Sequence, residues 1–583
     1  MGLFFVVSTL SCTSKKESQK TPLQNIEASY RAHLDSAILF LDSLQQEKRW
    51  EQKRLFFLQA RRHFKYAEPV MAFLDVENYT TLNGPNLLKV HEEDATDVKV
   101  KSPNGFQVIE ENLFAESPDS ISINHEAMQT AGRLRLVLNT TNFHNKEDYH
   151  FLWILKDAFI RVALTGITGF DSPALENSLQ EAVWVNNSLR AYLDFYQSRF
   201  TNQSLYQSWV EVLTKANDML LNGDFSSFDR YSYIKDITHK ELNLWQLTVQ
   251  DWEVEFPFDR VWNNEASSLF SRQTFNEEFF TDPMMGVASA DRVALGKKLF
   301  AETGLSKSGE MSCAACHQQD KAFTDGLRVF PKQTRNTPSL PYTHYQKAFF
   351  YDNRAGSLEG QITFVLENEH EFHSSFEEML SFVSKTEEYK TAFDSLYEQG
   401  ANALTVRNAI ASYVRSLAPF NSKFDANISG LRDDLTESEK NGFNLFTGKA
   451  KCATCHFAPL FHGTVPVAYR ETELESIGVP DKADTANATL DSDVGRYAVF
   501  NTEERKFFFK TPTVRNVEFT APYMHNGVYK TLEEVVDFYN RGGGAGIGIE
   551  LENQTLPSDP LNLSEQEKAD LVAFMKSLSD AGY

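Results

Sequence analysis

The pentapeptides CAACH at Cys313–His317 and CATCH at Cys452–His456 constrain this chain more than any other feature. C-x-x-C-H sets two thiols about one helical turn apart with an imidazole directly after them. Thiols at that spacing add across the two vinyl groups of a haem as thioethers, and the adjoining imidazole supplies an axial nitrogen to iron. A zinc site gathers four Cys/His ligands in one small module, and no further cysteine lies near either motif. A thioredoxin-type dithiol sits in a βαβ setting, whereas these flanks read as helical. The pair therefore predicts two covalently bound haem c groups, held through Cys313, Cys316, Cys452 and Cys455, with His317 and His456 as proximal iron ligands.

Attachment of haem to C-x-x-C-H implies an exported bacterial protein. The fifth cysteine fits that setting. Cys12 closes the apolar run GLFFVVSTLSC and precedes the polar TSKKESQK, the pattern of a lipoprotein signal with Cys12 acylated as the first mature residue. Residues 1–21 are read as signal and tether, on the periplasmic side of a bacterial membrane. One departure is that no Lys or Arg precedes the run. No other stretch approaches the roughly 18 apolar residues of a membrane helix. The net charge of −23, from 57 basic and 80 acidic residues, argues against nucleic acid, which needs a basic footprint. It suits solubility and the steering of a basic protein partner.

Two textures divide the rest. Residues 22–250 carry apolar residues at three- and four-residue spacing, as in RAHLDSAILFLDSLQQEKRW and EDYHFLWILKDAFIRVALTGITGF, and predict a helical bundle without strand hairpins. Residues 275–583 alternate short helices with long loops rich in Pro, Gly, Asn and Thr, which need a large apolar cofactor to pack on. A weak repeat runs through them. ALGKKLFAETGLSKSGEMSCAACH answers to KNGFNLFTGKAKCATCH, each a helix with Gly and Leu-Phe, then a loop, then the motif. The expected fold class is mainly α: the bundle, then two tandem cytochrome c-like domains at 275–425 and 426–583.

The strings LGKKLFAETGLS, SCAACHQQDKAFTDG, TRNTPSL, FYDNRAGSLEGQ, LFTGKAKCATCH and KTPTVRNVEFTAPYMHNGVYKTLEEVVDFYNRGG, in that order, resemble the bacterial di-haem cytochrome c peroxidases and their MauG-like relatives. The resemblance implies a peroxide-reactive haem in the first domain and an electron-transfer haem in the second. It assigns the acid–base role to Glu371, aligned relative to Arg354 and Gln361, and leaves Glu367 and Glu369 as a solvated face. Moving a proton between the two oxygens of HOOH needs such a group within hydrogen-bond reach. Tyr351 in FYDNR stands where the family usually has Trp, as an aromatic bridge between the haems. Asn336, with the carbonyls of Thr520 and Pro522, falls where the family holds calcium, an ion that suits oxygen ligands. Tyr539 in DFYNRGG falls at the second haem's distal position, with Met524 the alternative. No His lies between His317 and His344, where the peroxidases that need prior reduction carry a distal His, so the first haem is expected to be open at rest; His370 and His373 are the other candidates to close it.

The bundle more weakly resembles the imelysin-like domain through GFQVIEENLF. Gln107 replaces that family's His while Glu110 remains, which puts a metal site there in doubt. Three activities stay open at this stage: reduction of hydrogen peroxide with electrons from a small redox protein such as a cytochrome c, MauG-like oxidation of a protein or small molecule, and plain electron transfer. An iron- or haem-uptake lipoprotein is weakened by Gln107. Monomer and homodimer are both open.

Overall fold

The computed structural model describes residues 20–94 and 96–583. Cys12 and the signal reading lie outside the described residues. The chain is mainly helical. Among the described residues no helix is long and apolar enough to cross a membrane.

The amphipathic stretches form the helices expected of them. Pro22–Gln46 starts at a Thr21 cap closed by Gln24 in a capping box, and it buries Ile26, Tyr30, Leu34, Ala37, Leu41 and Leu44, the three- and four-residue stripe of a core-facing helix. It packs against Trp50–Leu74 and Ser120–Thr140. Asp148–Arg161 runs on into a π-helical turn, Val162–Gly166.

One element departs from the sequence reading. Lys89–Asp94 and Asp97–Lys101 pair as an antiparallel hairpin inside the helical region. Val98 and Val100 alternate with charged residues, a period-two signal masked by the charge density around it. The hairpin leans on the far C-terminal half, where Arg496 pairs with Glu92 at 2.8 Å and Arg505 donates to the Val90 carbonyl at 3.2 Å.

The tandem repeat is built on two helix crossings. Ala290–Phe300 packs on Ala403–Arg415, and Glu437–Phe446 packs on Glu565–Ser577. Each crossing needs a glycine. A Cβ on Gly296 would lie 1.9 Å from the Ala409 carbonyl oxygen, and one on Gly442 would lie 1.9 Å from that of Asp570. The Phe four residues after each glycine then buries itself at the crossing, Phe300 against Tyr413 and Phe446 against Phe574.

The cores are not partitioned as the repeat suggests. Leu295 to Val414 form a separate apolar core. The core of the N-terminal bundle instead continues through Trp262 and Phe275 into Phe424, Phe443, Phe461 and Phe574 of the second repeat. Asn444 binds the Tyr231 amide at 2.9 Å, and Phe170 meets Phe457 edge-on at 5.6 Å.

Candidate functional site

Both C-x-x-C-H motifs open onto one continuous cavity of 2320 Å³ that also reaches the N-terminal bundle. After each motif the chain makes a short turn that curls back under the histidine. In the first, Phe323 donates to the Gln318 carbonyl at 2.8 Å; in the second, Phe461 donates to that of Phe457 at 2.6 Å. These turns aim carbonyls at the rings. His317 Nδ1 lies 2.9 Å from the Phe323 carbonyl, and His456 Nδ1 lies 2.9 Å from that of Pro512 and 3.3 Å from that of Phe461. A carbonyl only accepts, so Nδ1 carries the proton and Nε2 keeps its lone pair, the tautomer of a metal ligand. Burial lowers both imidazole pKa values, His456 to about 4, which keeps the rings neutral. None of the four motif cysteines is in a disulfide. Thiols, paired imidazoles and an apolar cavity wall fit haem c at both motifs.

Glu371 owes its place to a helix and a turn. Leu358–Glu367 is pinned to Ala403–Arg415 by buried Glu359, which takes both Arg415 guanidinium nitrogens at 2.8 Å and Asn408 at 3.0 Å. That leaves Gln361, Ile362 and Val365 on the cavity side. The helix ends at Asn368, whose carbonyl accepts from the Glu371 amide and whose side-chain NH₂ donates to Glu371 Oε1 at 2.8 Å. Glu371 is thereby turned into the wall near Cys313 and Cys316, while Glu367 and Glu369 are exposed. Burial raises its carboxyl pKa above the ordinary value, against the pull of Asn368 and Arg354. His370 also lines the cavity, with its ring exposed beside Glu369; His373 lies off the wall.

Tyr351 sits on the seam between the repeats. Its carbonyl accepts from the Lys510 amide at 2.6 Å. Arg335 bridges Asp352 at 2.6 Å and Asp493 at 2.5 and 2.9 Å, and Arg496 donates to the carbonyls of Asp352 and Asn353. Burial raises the Tyr351 phenol pKa. Asn336 is tied across the same seam, its amide donating to the His525 carbonyl at 2.7 Å, while its NH₂ donates to Leu327 and Arg328. Its Oδ1 is left over. Thr520 and Pro522 share that cavity wall, and no hydrogen bond to either carbonyl occurs among the described residues.

In the second repeat Tyr539, on Leu532–Asn540, is half-buried within electrostatic reach of Cys452 and Cys455. Burial is the main reason its phenol pKa is raised, with the two sulfurs adding to it. In the haem-bearing protein those sulfurs are uncharged thioethers, so burial and Glu475 remain. Met524 stands in a tight turn at φ +72° and packs against the cluster of Tyr529 and Phe538. Both residues line the cavity.

The imelysin-like positions are absorbed by structure. Gln107 donates to the carbonyls of Asn83 and Phe170. Glu110 accepts from the Ser172 hydroxyl and from the amides of Ala174 and Leu175. Among the described residues no cluster of three or more His, Cys, Asp or Glu could hold a metal. Sequence reasoning missed Asn368, which fixes the angle of Glu371; an Asn at a helix end three residues before the key carboxylate was the available signal.

Residues 290–433 match the family described as Di-haem cytochrome c peroxidase. Cytochrome-c peroxidase IdrP2 of Denitromonas iodatirespirans is 32% identical over 324 residues, covering 51% of this chain and 84% of that protein. Methylamine utilization protein MauG of Methylorubrum extorquens is 31% identical over 304 residues, covering 51% and 80%. Among solved structures, the diheme peroxidase BthA from Burkholderia thailandensis is 26% identical with a TM-score of 0.41, covering 52% of this chain and 89% of that one.

Proposed function

Because the chain belongs to the di-haem cytochrome c peroxidase family, we propose that it is a two-haem enzyme reducing hydrogen peroxide to two waters, with two electrons from a small redox protein and two protons. The observation that carries this is the sharing of one cavity by His317, Glu371, Tyr351 and His456.

Haem c, when bound, supplies the iron that ligates peroxide and exchanges electrons. The chain does the rest. Cys313 and Cys316 tether the first group, and the Phe323 carbonyl holds the His317 tautomer that exposes Nε2. Asn368 occupies Oε1 of Glu371, leaving Oε2 to take the proton from one peroxide oxygen and return it to the other as the O–O bond breaks. Gln361 lines the same wall and helps orient the substrate. Tyr351 is the aromatic bridge across the seam, and its carbonyl bond to Lys510 fixes the bridge to both repeats. Asn336, Thr520 and Pro522 form an oxygen set for calcium, which would lock that seam.

Tyr539 favours a second reading. A phenolate is a hard anionic ligand that stabilises oxidised iron, and Tyr539 lies within electrostatic reach of Cys452 and Cys455. Such a second centre suits MauG-like oxidation of a protein or small-molecule partner. Export to the periplasm and a lipid anchor at Cys12 complete the proposal.

The test is a haemochrome assay with a steady-state peroxidase assay, on protein from cells that mature cytochromes c. Two c-type haems per chain and peroxide-dependent oxidation of a cytochrome c are expected. One haem, or turnover only with an organic donor, contradicts the peroxidase reading.

A further inference from the structure

The described part of the chain buries nine cations, and eight of them are answered. Arg61 and Lys65 are paired with Glu181 and Asp171. Arg515 is paired with Asp425, and Arg496 with Glu92. Lys53, Lys156, Arg230 and Lys510 donate to carbonyl or amide oxygens. Arg161 is the exception. It is 8% exposed, yet among the described residues it has no ion pair and no side-chain hydrogen bond. Its only described partner is the ring of Tyr79, 4.9 Å below the guanidinium. Burying a charge without an acceptor is among the costlier things a fold does.

The setting points to a ligand. Asp157, Arg161 and Thr165, one turn apart, line the part of the cavity wall that the bundle supplies, its bundle arm. Asp157 does not answer Arg161, because it is held by Arg260 at 2.8 Å. The helix changes to π form directly after Arg161; such turns are rare and recur at functional sites. Arg133 lines the same arm, and it too lacks an ion pair, donating only to the Asn78 side chain at 2.9 Å. Tyr79, Phe73 and Phe258 add aromatic surface to the same cavity, Phe258 being 62% exposed, and Arg260 covers one face of Phe73 at 4.7 Å.

We propose that this arm is a binding site for a small aromatic carboxylate, its two oxygens on the Arg161 guanidinium and its ring between Tyr79 and Phe73. A guanidinium fork matches a carboxylate in two parallel hydrogen bonds, and the aromatic walls select a flat apolar body. The site is outside the residues placed in peroxide chemistry and does not depend on that reading.

The experiment is titration calorimetry on the full-length, haem-loaded protein. The probes are benzoate, acetate, benzyl alcohol and inorganic phosphate, and the proteins are wild type, Arg161→Gln and Arg161→Lys. Benzoate should bind wild type at least tenfold more tightly than acetate, benzyl alcohol or phosphate. Arg161→Gln should lose at least tenfold, and Arg161→Lys should recover only part of it. Equal binding of benzoate and benzyl alcohol, or undiminished binding in Arg161→Gln, overturns the proposal. So does no binding at all, as expected if Arg161 only balances the buried Glu68, which accepts from the Tyr79 hydroxyl at 3.3 Å, or holds a haem propionate. Phosphate or acetate binding as tightly as benzoate overturns the aromatic part. Should Arg161→Gln fail to fold, the four probes on wild type still decide.

Discussion

The two repeats begin alike and end differently. Each sets a glycine at a helix crossing, buries a Phe one turn later, and curls a turn under its histidine that brings a carbonyl to the ring, joined in the second repeat by the closer carbonyl of Pro512. On the cavity wall they diverge. The first repeat brings Gln361 and Glu371, a polar pair that can handle a proton but makes a poor iron ligand. The second brings Tyr539 and Met524, both able to ligate iron. Their packing diverges too: the first has a core of its own, while the second shares one with the N-terminal bundle. On the proposed reading the repeated segments hold a haem each, and the unrepeated ones, 358–371 and 532–539, would assign its work.

The sharpest break in that comparison is Glu371→Gln. Peroxide turnover should fall by roughly 10²–10⁴-fold, the usual worth of a positioned acid–base group, with both haem spectra unchanged. The pH profile gives a further check. A base must be deprotonated to take the peroxide proton, so turnover should rise with pH as Glu371 ionises. Because burial raises that carboxyl, the rise should centre above the ordinary carboxylate range and vanish in the variant. Near-normal turnover in Glu371→Gln removes it from the mechanism.

Next in size are the crossings. Gly296→Ala and Gly442→Ala each drive a methyl into a backbone carbonyl 1.9 Å away, an overpacking that costs about 1–3 kcal/mol. The two should differ in reach. Amide exchange should quicken within residues 290–415 for Gly296→Ala, but extend into the N-terminal bundle for Gly442→Ala, because that core is continuous. Confinement of the second effect to the second repeat would separate the two cores again.

The smallest effect is spectroscopic. Tyr539→Phe should alter the ligation spectrum of the second haem, and Met524→Leu should leave it unchanged. A Met-to-iron charge-transfer band lost in Met524→Leu, with Tyr539→Phe silent, reverses the assignment and removes the support for partner oxidation.

Covalent chemistry was the most legible part of the sequence. C-x-x-C-H is local, so cofactor and proximal histidines could be read directly, and the Gly…Leu-Phe spacing exposed the repeat. Long-range packing was not legible. Nothing near Phe170 or Trp262 announces that the bundle joins the second repeat's core: Phe170 follows a Gly-rich turn and Trp262 lies between the two regions the sequence separates. The hairpin at Lys89–Lys101 was hidden by its charges, and its role emerges through Arg496 and Arg505, some four hundred residues away in sequence. Glu110 accords with the doubt raised by Gln107: its carboxylate is taken up by Ser172 and two amides, which is loop chemistry.

The proposed division of labour, an open first site and a closed second one, has a direct test: stopped-flow mixing of the fully oxidised protein with hydrogen peroxide. No His lies between His317 and His344 to close the first iron, so the diferric enzyme should react in a single peroxide-dependent phase without prior reduction. Reaction only after one haem has been reduced would mean that a ligand such as His370 closes the first site at rest, and would contradict the account.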